Sequence, residues 1–128
     1  MIYLLDSNTI IDYLAGILPA PAMGAMSNIV NNGFFISIIT RIETLSYQSG
    51  DAKVDANTLS FVNMASAFDL SPDIVKKTID FRKLKRKLKT PDAIIASTAV
   101  VHNLILLTRN LSDFSNLPGL TVVNPYNL

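Results

Sequence analysis

A chain of 128 residues, 49% of them hydrophobic, with a mean hydropathy of +0.35, is one domain (residues 1–128) with enough apolar material for a single sizeable core. The absence of cysteine excludes a disulfide framework and a thiolate metal site and fits a reducing cytoplasm, while a net charge of +1 leaves partners to be read from where the charges fall. No basic leader precedes the first apolar run. The most apolar span, Ala93 to Leu107, is interrupted by Ser97, Thr98, His102 and Asn103 and is shorter than the roughly 20 residues of a membrane helix, so no membrane association is expected.

Ile2 to Leu5 reads as a strand buried on both faces, because it is continuously hydrophobic rather than alternating, and it stops on Asp6. Asn8 or Ser7 is placed to cap the helix that follows, whose apolar face is Ile10, Ile11 and Leu14 and whose stop is Gly16. Pro19 and Pro21 suit the first turn of a second helix, closed by Gly33. Phe34 to Ile38, aromatic and β-branched, predicts the second strand. Thr40 then opens a helix, and its spacing to Glu43 matches a capping box. Asp51 to Ala65 carries a moderate helical pattern and Ser66 to Ser71 a weak strand signal.

Pro72 and Asp73 open a clearer helix with Ile74, Phe81, Leu84 and Leu88 at helical spacing. After Thr90 and Pro91 comes a helix that is apolar nearly all round and therefore buried. Leu104 to Thr108 is the next strand, residues 109–116 form a polar turn, and Leu120 to Val123 supplies an edge strand. Strands alternating with helices imply a three-layer α/β/α domain around a mostly parallel sheet of four or five strands.

The acids carry the functional signal. Asp6 ends the first strand, Glu43 falls in the helix after the second, Asp92 opens the buried helix, and Asp113 follows the strand at Leu104 to Thr108. Strand C-termini and the helix N-termini that follow them share one rim of such a sheet, where ligands bind, so at least three of the four acids are expected to converge. Each has a structural use as a cap or turn residue. Together they pose a charge problem, since two carboxylates 4 Å apart repel by about 4 kcal/mol at an effective dielectric near 20. A divalent cation removes that repulsion. Oxygen-only donors point to Mg²⁺ or Mn²⁺, and a single histidine with no cysteine argues against zinc.

Four segments, LLDSNTIIDYL, SIITRIETL, TPDAIIASTA and LLTRNLSDF, occur in that order from Leu4 to Phe114. This ordered set resembles the motifs of PIN-domain ribonucleases, most closely the VapC toxins of toxin–antitoxin modules. The resemblance implies that Asp6, Glu43, Asp92 and Asp113 surround Mg²⁺ or Mn²⁺, with Asp6 and Asp92 as direct ligands. It also makes Thr108 a supporting hydroxyl and Asn8 a polar group behind the ligands. Part of the family carries an acid where this chain has Asn110, which leaves the fourth position to Asp113 or Asn110. The implied activity is endonucleolytic cleavage of RNA, the implied partners are a cognate antitoxin and a second copy of the chain, and the alternative is a PIN-like module that grips RNA without cutting it.

Eight of the eleven basic residues lie in one stretch: Lys76, Lys77, Arg82, Lys83, Lys85, Arg86, Lys87 and Lys89. Such a ridge, leading to Asp92, suits sequence-independent phosphate contacts, for which Arg82, Lys83, Lys85, Arg86, Lys87 and Lys89 are the nearest candidates. No glycine-rich phosphate loop is present.

Overall fold

The structure, a computed structural model, describes residues 2–128. Five strands, β1 (Tyr3–Leu5), β2 (Phe35–Ser37), β3 (Ser66–Phe68), β4 (Ile105–Leu107) and β5 (Thr121–Val123), form one sheet in the order β3-β2-β1-β4-β5, and every neighbouring pair is parallel. The helices are α1 (Ser7–Leu14), α2 (Ala20–Asn31), α3 (Ile38–Ser46), α4 (Ala52–Asn63), α5 (Pro72–Leu84) and α6 (Thr90–Val101), and a 3-10 turn spans Pro125–Asn127.

Alternation along the strands splits the core into two layers. Leu4 and Leu106 face a cluster with Phe81, Leu88, Ala96 and Phe114, beneath α5 and α6. Leu5 and Leu107 face the other way, into a cluster with Ile10, Met26, Ile36 and Phe61. The buried face of α6 is small at Ala93, Ala96 and Ala99, which lets the helix lie close to its neighbours. It ends where Asn103 adopts a left-handed φ of 56°, a conformation asparagine tolerates, and the chain enters β4.

The topology creates the site. The chain builds β1, β2 and β3 outward in one direction, then crosses back to lay β4 on the other side of β1. The order therefore reverses between β1 and β4, and ligands bind at the strand C-termini of such a reversal.

Several local expectations are corrected. Asp6 itself caps α1, its carboxylate accepting from the Ser7 N–H at 2.8 Å, so neither Ser7 nor Asn8 has that role. The cap of α3 is Ser37, whose hydroxyl accepts from the Ile39 N–H at 3.1 Å. Thr40 lies inside the helix with a buried hydroxyl that has no partner, and Glu43 falls in the second turn rather than completing a capping box. Serine won because strand β2 ends there, leaving its backbone extended as a cap requires. Leu84 closes α5 on its exposed side, and Leu88 reaches the core from the connection after the helix. The basic stretch is accordingly not one helical face, because α5 stops midway through it.

Candidate functional site

Asp6 sits at the reversal point. Its backbone N–H donates to the Leu107 carbonyl at 3.0 Å, continuing the β1–β4 pairing for one more residue. Its side chain is buried, with Oδ2 accepting from Thr108 Oγ1 at 2.8 Å and from Asn8 Nδ2 at 3.1 Å. Oδ1 accepts only the capping bond from Ser7. A carboxylate has room for about four such bonds, so Oδ1 keeps the larger unused capacity. Burial pushes the Asp6 carboxyl above the usual range, while the Thr108, Ser7 and Asn8 donors pull it back and the charge of Asp113 adds to the rise.

The buried Thr108 hydroxyl also accepts from Asn8 Nδ2 at 3.1 Å and from the Asn110 N–H at 3.2 Å. Asn8 Oδ1 accepts from the Arg109 N–H at 3.1 Å. Asn8 and Thr108 thus bond to each other and to the same oxygen of Asp6. Asn110 contributes its backbone to Thr108, and its side chain is exposed.

The remaining acids come to the same rim by different routes. Asp92 stands in the first turn of α6, where the helix dipole favours a carboxylate. Its carboxyl is nevertheless raised to about 6, first by burial and then by the charges of Asp6, Asp113 and Glu43, with Lys89 opposing. Glu43 is exposed on α3 and accepts from the Ser7 hydroxyl at 3.0 Å, a bond between the helices that follow β1 and β2. Asp113 is exposed in the loop after β4, and the loop is held from below by buried Phe114. From outside it is held by Lys85, whose ammonium donates to the carbonyls of Ser112, Asp113 and Ser115 at 3.0, 2.9 and 3.1 Å.

Four carboxylates therefore share one electrostatic neighbourhood, in which Lys89 opposes the rise at Asp92. Their all-oxygen donor set suits a hard divalent ion. Among the described residues no three acidic, histidine or cysteine side chains are already gathered to ligate a single ion.

Sequence reasoning missed Asp12 and Tyr126 altogether, and it missed the contacts of two residues it had noticed: Ser7, which ties Glu43 to α1, and Arg109, which joins Asp12 and Tyr126 in a trio. Arg109 Nη1 pairs with Asp12 Oδ2 at 2.8 Å, and the Tyr126 hydroxyl donates to the same oxygen at 3.0 Å. The available signal was Asp12 itself, a charge among apolar residues four positions after Asn8.

A fully parallel α/β/α domain with acids at its topological reversal defines a class that comparison makes specific. The PIN domain family model matches residues 3–120, and the chain belongs to the PIN domain family, a family of nucleases. Among solved structures the chain is similar to a toxin–antitoxin complex from Klebsiella pneumoniae, with 31% identity, a TM-score of 0.74, and coverage of 97% of this chain and 98% of that one. It is also similar to VapBC2 from Rickettsia felis bound to a promoter DNA fragment, with 25% identity, a TM-score of 0.79, and coverage of 97% and 98%. DNA-bound VapBC from Salmonella typhimurium shares the fold, with 24% identity, a TM-score of 0.81, and coverage of 98% and 99%. Comparison with curated proteins gives no match. Within the family the likeness is to VapC-type toxins.

Proposed function

We propose that this protein is a metal-dependent endoribonuclease, the toxin of a toxin–antitoxin pair, which hydrolyses RNA phosphodiester bonds at the rim formed by Asp6, Glu43, Asp92 and Asp113. The observation that carries the reading is the buried Asp6, braced on one oxygen by Thr108 and Asn8 and in electrostatic contact with Asp92 and Asp113. A structural cap needs no such bracing and no neighbouring acids.

Asp6 and Asp92 would hold Mg²⁺ or Mn²⁺ directly, with Glu43 and Asp113 at its periphery. When bound, the ion lowers the pKa of a water and neutralises charge on the phosphoryl oxygens. The chain's own residues supply the rest. Thr108 and Asn8 fix the Asp6 carboxylate, so that no reorganisation of that ligand is needed during the reaction. Ser7 holds Glu43 at the rim, where its exposed carboxylate can orient an attacking water. Asp113 is carried on a loop tied by Lys85, which fixes the fourth acid relative to α5. In this reading the fourth position falls to Asp113, because the Asn110 side chain is neutral.

Substrate backbone would be tracked by Lys83 in the last turn of α5 and by Arg86, Lys87 and Lys89, which lie between α5 and α6. Arg82 and Lys85 add charge there while donating to protein carbonyls, Arg82 to that of Leu88 at 2.7 Å. RNA affinity should therefore fall as salt rises. An antitoxin segment would occupy an apolar groove of about 680 Å³ between α1, α3 and α4, lined by Ile11, Leu14, Leu45, Val54 and Leu59. The groove shares two helices with the site, α1, which Asp6 caps, and α3, which carries Glu43. A second copy of the chain is a further expected partner.

The test is cleavage of RNA by purified protein with Mg²⁺ or Mn²⁺, with EDTA, and with Asp6→Asn. Cleavage should require the ion, and the variant should lose at least 10³-fold in rate, the scale on which single catalytic groups act. Undiminished cleavage by Asp6→Asn rejects the site. Tight RNA binding with no cleavage by wild type under any divalent ion establishes the binding module instead.

A further inference from the structure

Arg109 holds α1 to the end of β4 at two points. Its backbone N–H donates to Asn8 Oδ1, and its guanidinium donates to Asp12 Oδ2, at 3.1 and 2.8 Å. Asn8 and Asp12 are four residues apart and so share a helix face one turn apart. Asp12 is only 3% exposed, whereas the Arg109 side chain is half-exposed. The Tyr126 hydroxyl completes the arrangement from the C-terminal turn. Phosphodiester hydrolysis as set out above uses none of these three side chains, yet a buried carboxylate is retained there.

The consequence falls on Asn8. With its Oδ1 committed to the Arg109 N–H, its Nδ2 is directed at Asp6 Oδ2 and Thr108 Oγ1. The flipped amide would set Nδ2 against another donor and Oδ1 against the Asp6 carboxylate, and both contacts are repulsive. Register between α1 and residue 109 therefore decides which way the amide points; the Thr9 hydroxyl, donating to the Leu107 carbonyl at 2.7 Å, ties the start of α1 to β4, and the Asp12–Arg109 pair ties it one turn further on.

We infer that Asp12 and Arg109 are positioning residues for the candidate nuclease centre, clamping α1 to β4 so that Asn8 braces Asp6 Oδ2 and leaves Asp6 Oδ1, which carries only the Ser7 bond, open to a divalent ion. This rests on the nuclease reading for its consequence but not for its geometry. Metal ligands depend on such outer partners, whose loss commonly weakens metal affinity by about 10- to 100-fold.

The decisive variant is the double substitution Asp12→Leu with Arg109→Met. It removes the ion pair without leaving a buried charge unpaired, and it keeps the backbone N–H of residue 109. Mn²⁺ binding is read by water-proton relaxation, the Asn8 side-chain amide by NMR, and RNA cleavage as separate kcat and KM. In a variant with wild-type circular dichroism, the Mn²⁺ dissociation constant should rise about 10-fold, kcat should fall with KM unchanged, and the Asn8 amide signals should shift or broaden. A folded variant with wild-type Mn²⁺ affinity and kcat overturns the inference. If the double variant does not fold, Arg109→Lys keeps a charge for Asp12 but loses the planar fork. It should show a smaller loss of Mn²⁺ affinity, and no loss overturns the inference. Wild type that neither binds Mn²⁺ nor cleaves RNA sinks the nuclease reading. The Asn8 signals then test the clamp alone, and unchanged signals in the variant reject it.

Discussion

At the scale of single residues, the site contains two acids, Asp6 and Asp92, whose folded environment disfavours their charge. For Asp92 the carboxyl lies at about 6, above its ordinary 3.8, because of burial and then the charges of Asp6, Asp113 and Glu43. The folded protein therefore binds an extra proton between about pH 4 and pH 6. Stability falls as pH rises through that window, and the ionised group is a net liability at neutral pH. Asp92→Asn should raise the melting temperature of the ion-free protein at pH 7.5 by about 2 °C, a modest figure because the group is partly solvated. The two proteins should melt together near pH 4. Millimolar Mg²⁺ should raise the wild-type value and leave that of the variant nearly unchanged, since a ligand stabilises only the form that binds it. Melts with EDTA and with Mg²⁺ at both pH values check this, and a wild type more stable than the variant in EDTA at pH 7.5 contradicts it.

At the scale of elements, what matters is how a loop and a helix end are tied down. The loop after β4 carries Asp113 and has few internal bonds of its own, so its placement depends on Phe114 inside and the Lys85 ammonium outside. Lys85→Met keeps the stem of the side chain and removes three donors to carbonyls. Hydrogen exchange in residues 111–116 should accelerate about 10-fold, equivalent to about 1.4 kcal/mol of local protection, while exchange in β1 and β4 stays at the global rate. Unchanged exchange in the loop would show that Phe114 holds it unaided. The same reasoning separates Lys85 from the other basic residues: it is a structural cation as well as a candidate phosphate contact.

At the scale of the whole molecule, two surfaces are distinct in character, one basic and one apolar. The basic one follows the junction of α5 and α6, and the apolar one runs between α1, α3 and α4. In the proposed function RNA takes the first and the antitoxin the second. Substituting Glu for both Leu14 and Leu59, which are 38% and 46% exposed, should leave the fold intact because neither is a core residue. A buried charge in an otherwise apolar contact should lower affinity for the cognate antitoxin by at least 100-fold, measured by titration calorimetry. Cleavage by the free toxin should be unchanged. Loss of cleavage together with loss of binding would place the groove within the catalytic machinery instead.

The sequence alone determined the strands and helices and their alternation, and hence the parallel sheet, because periodicity, caps and punctuation are written within ten or so neighbouring residues. It also located the acids at element junctions, where Asp6, Asp92 and Asp113 indeed lie, and placed Glu43 one turn too early by assigning the cap to Thr40 instead of Ser37. Which strand lies beside which is not a local property. Only the tertiary structure put β4 against β1, bringing Thr108 within 2.8 Å of Asp6 across 102 residues, and only it gave Asp12 the company of Arg109 and Tyr126. Those contacts follow from burying two apolar faces of one sheet at once, a condition on the whole chain that no short window of sequence contains.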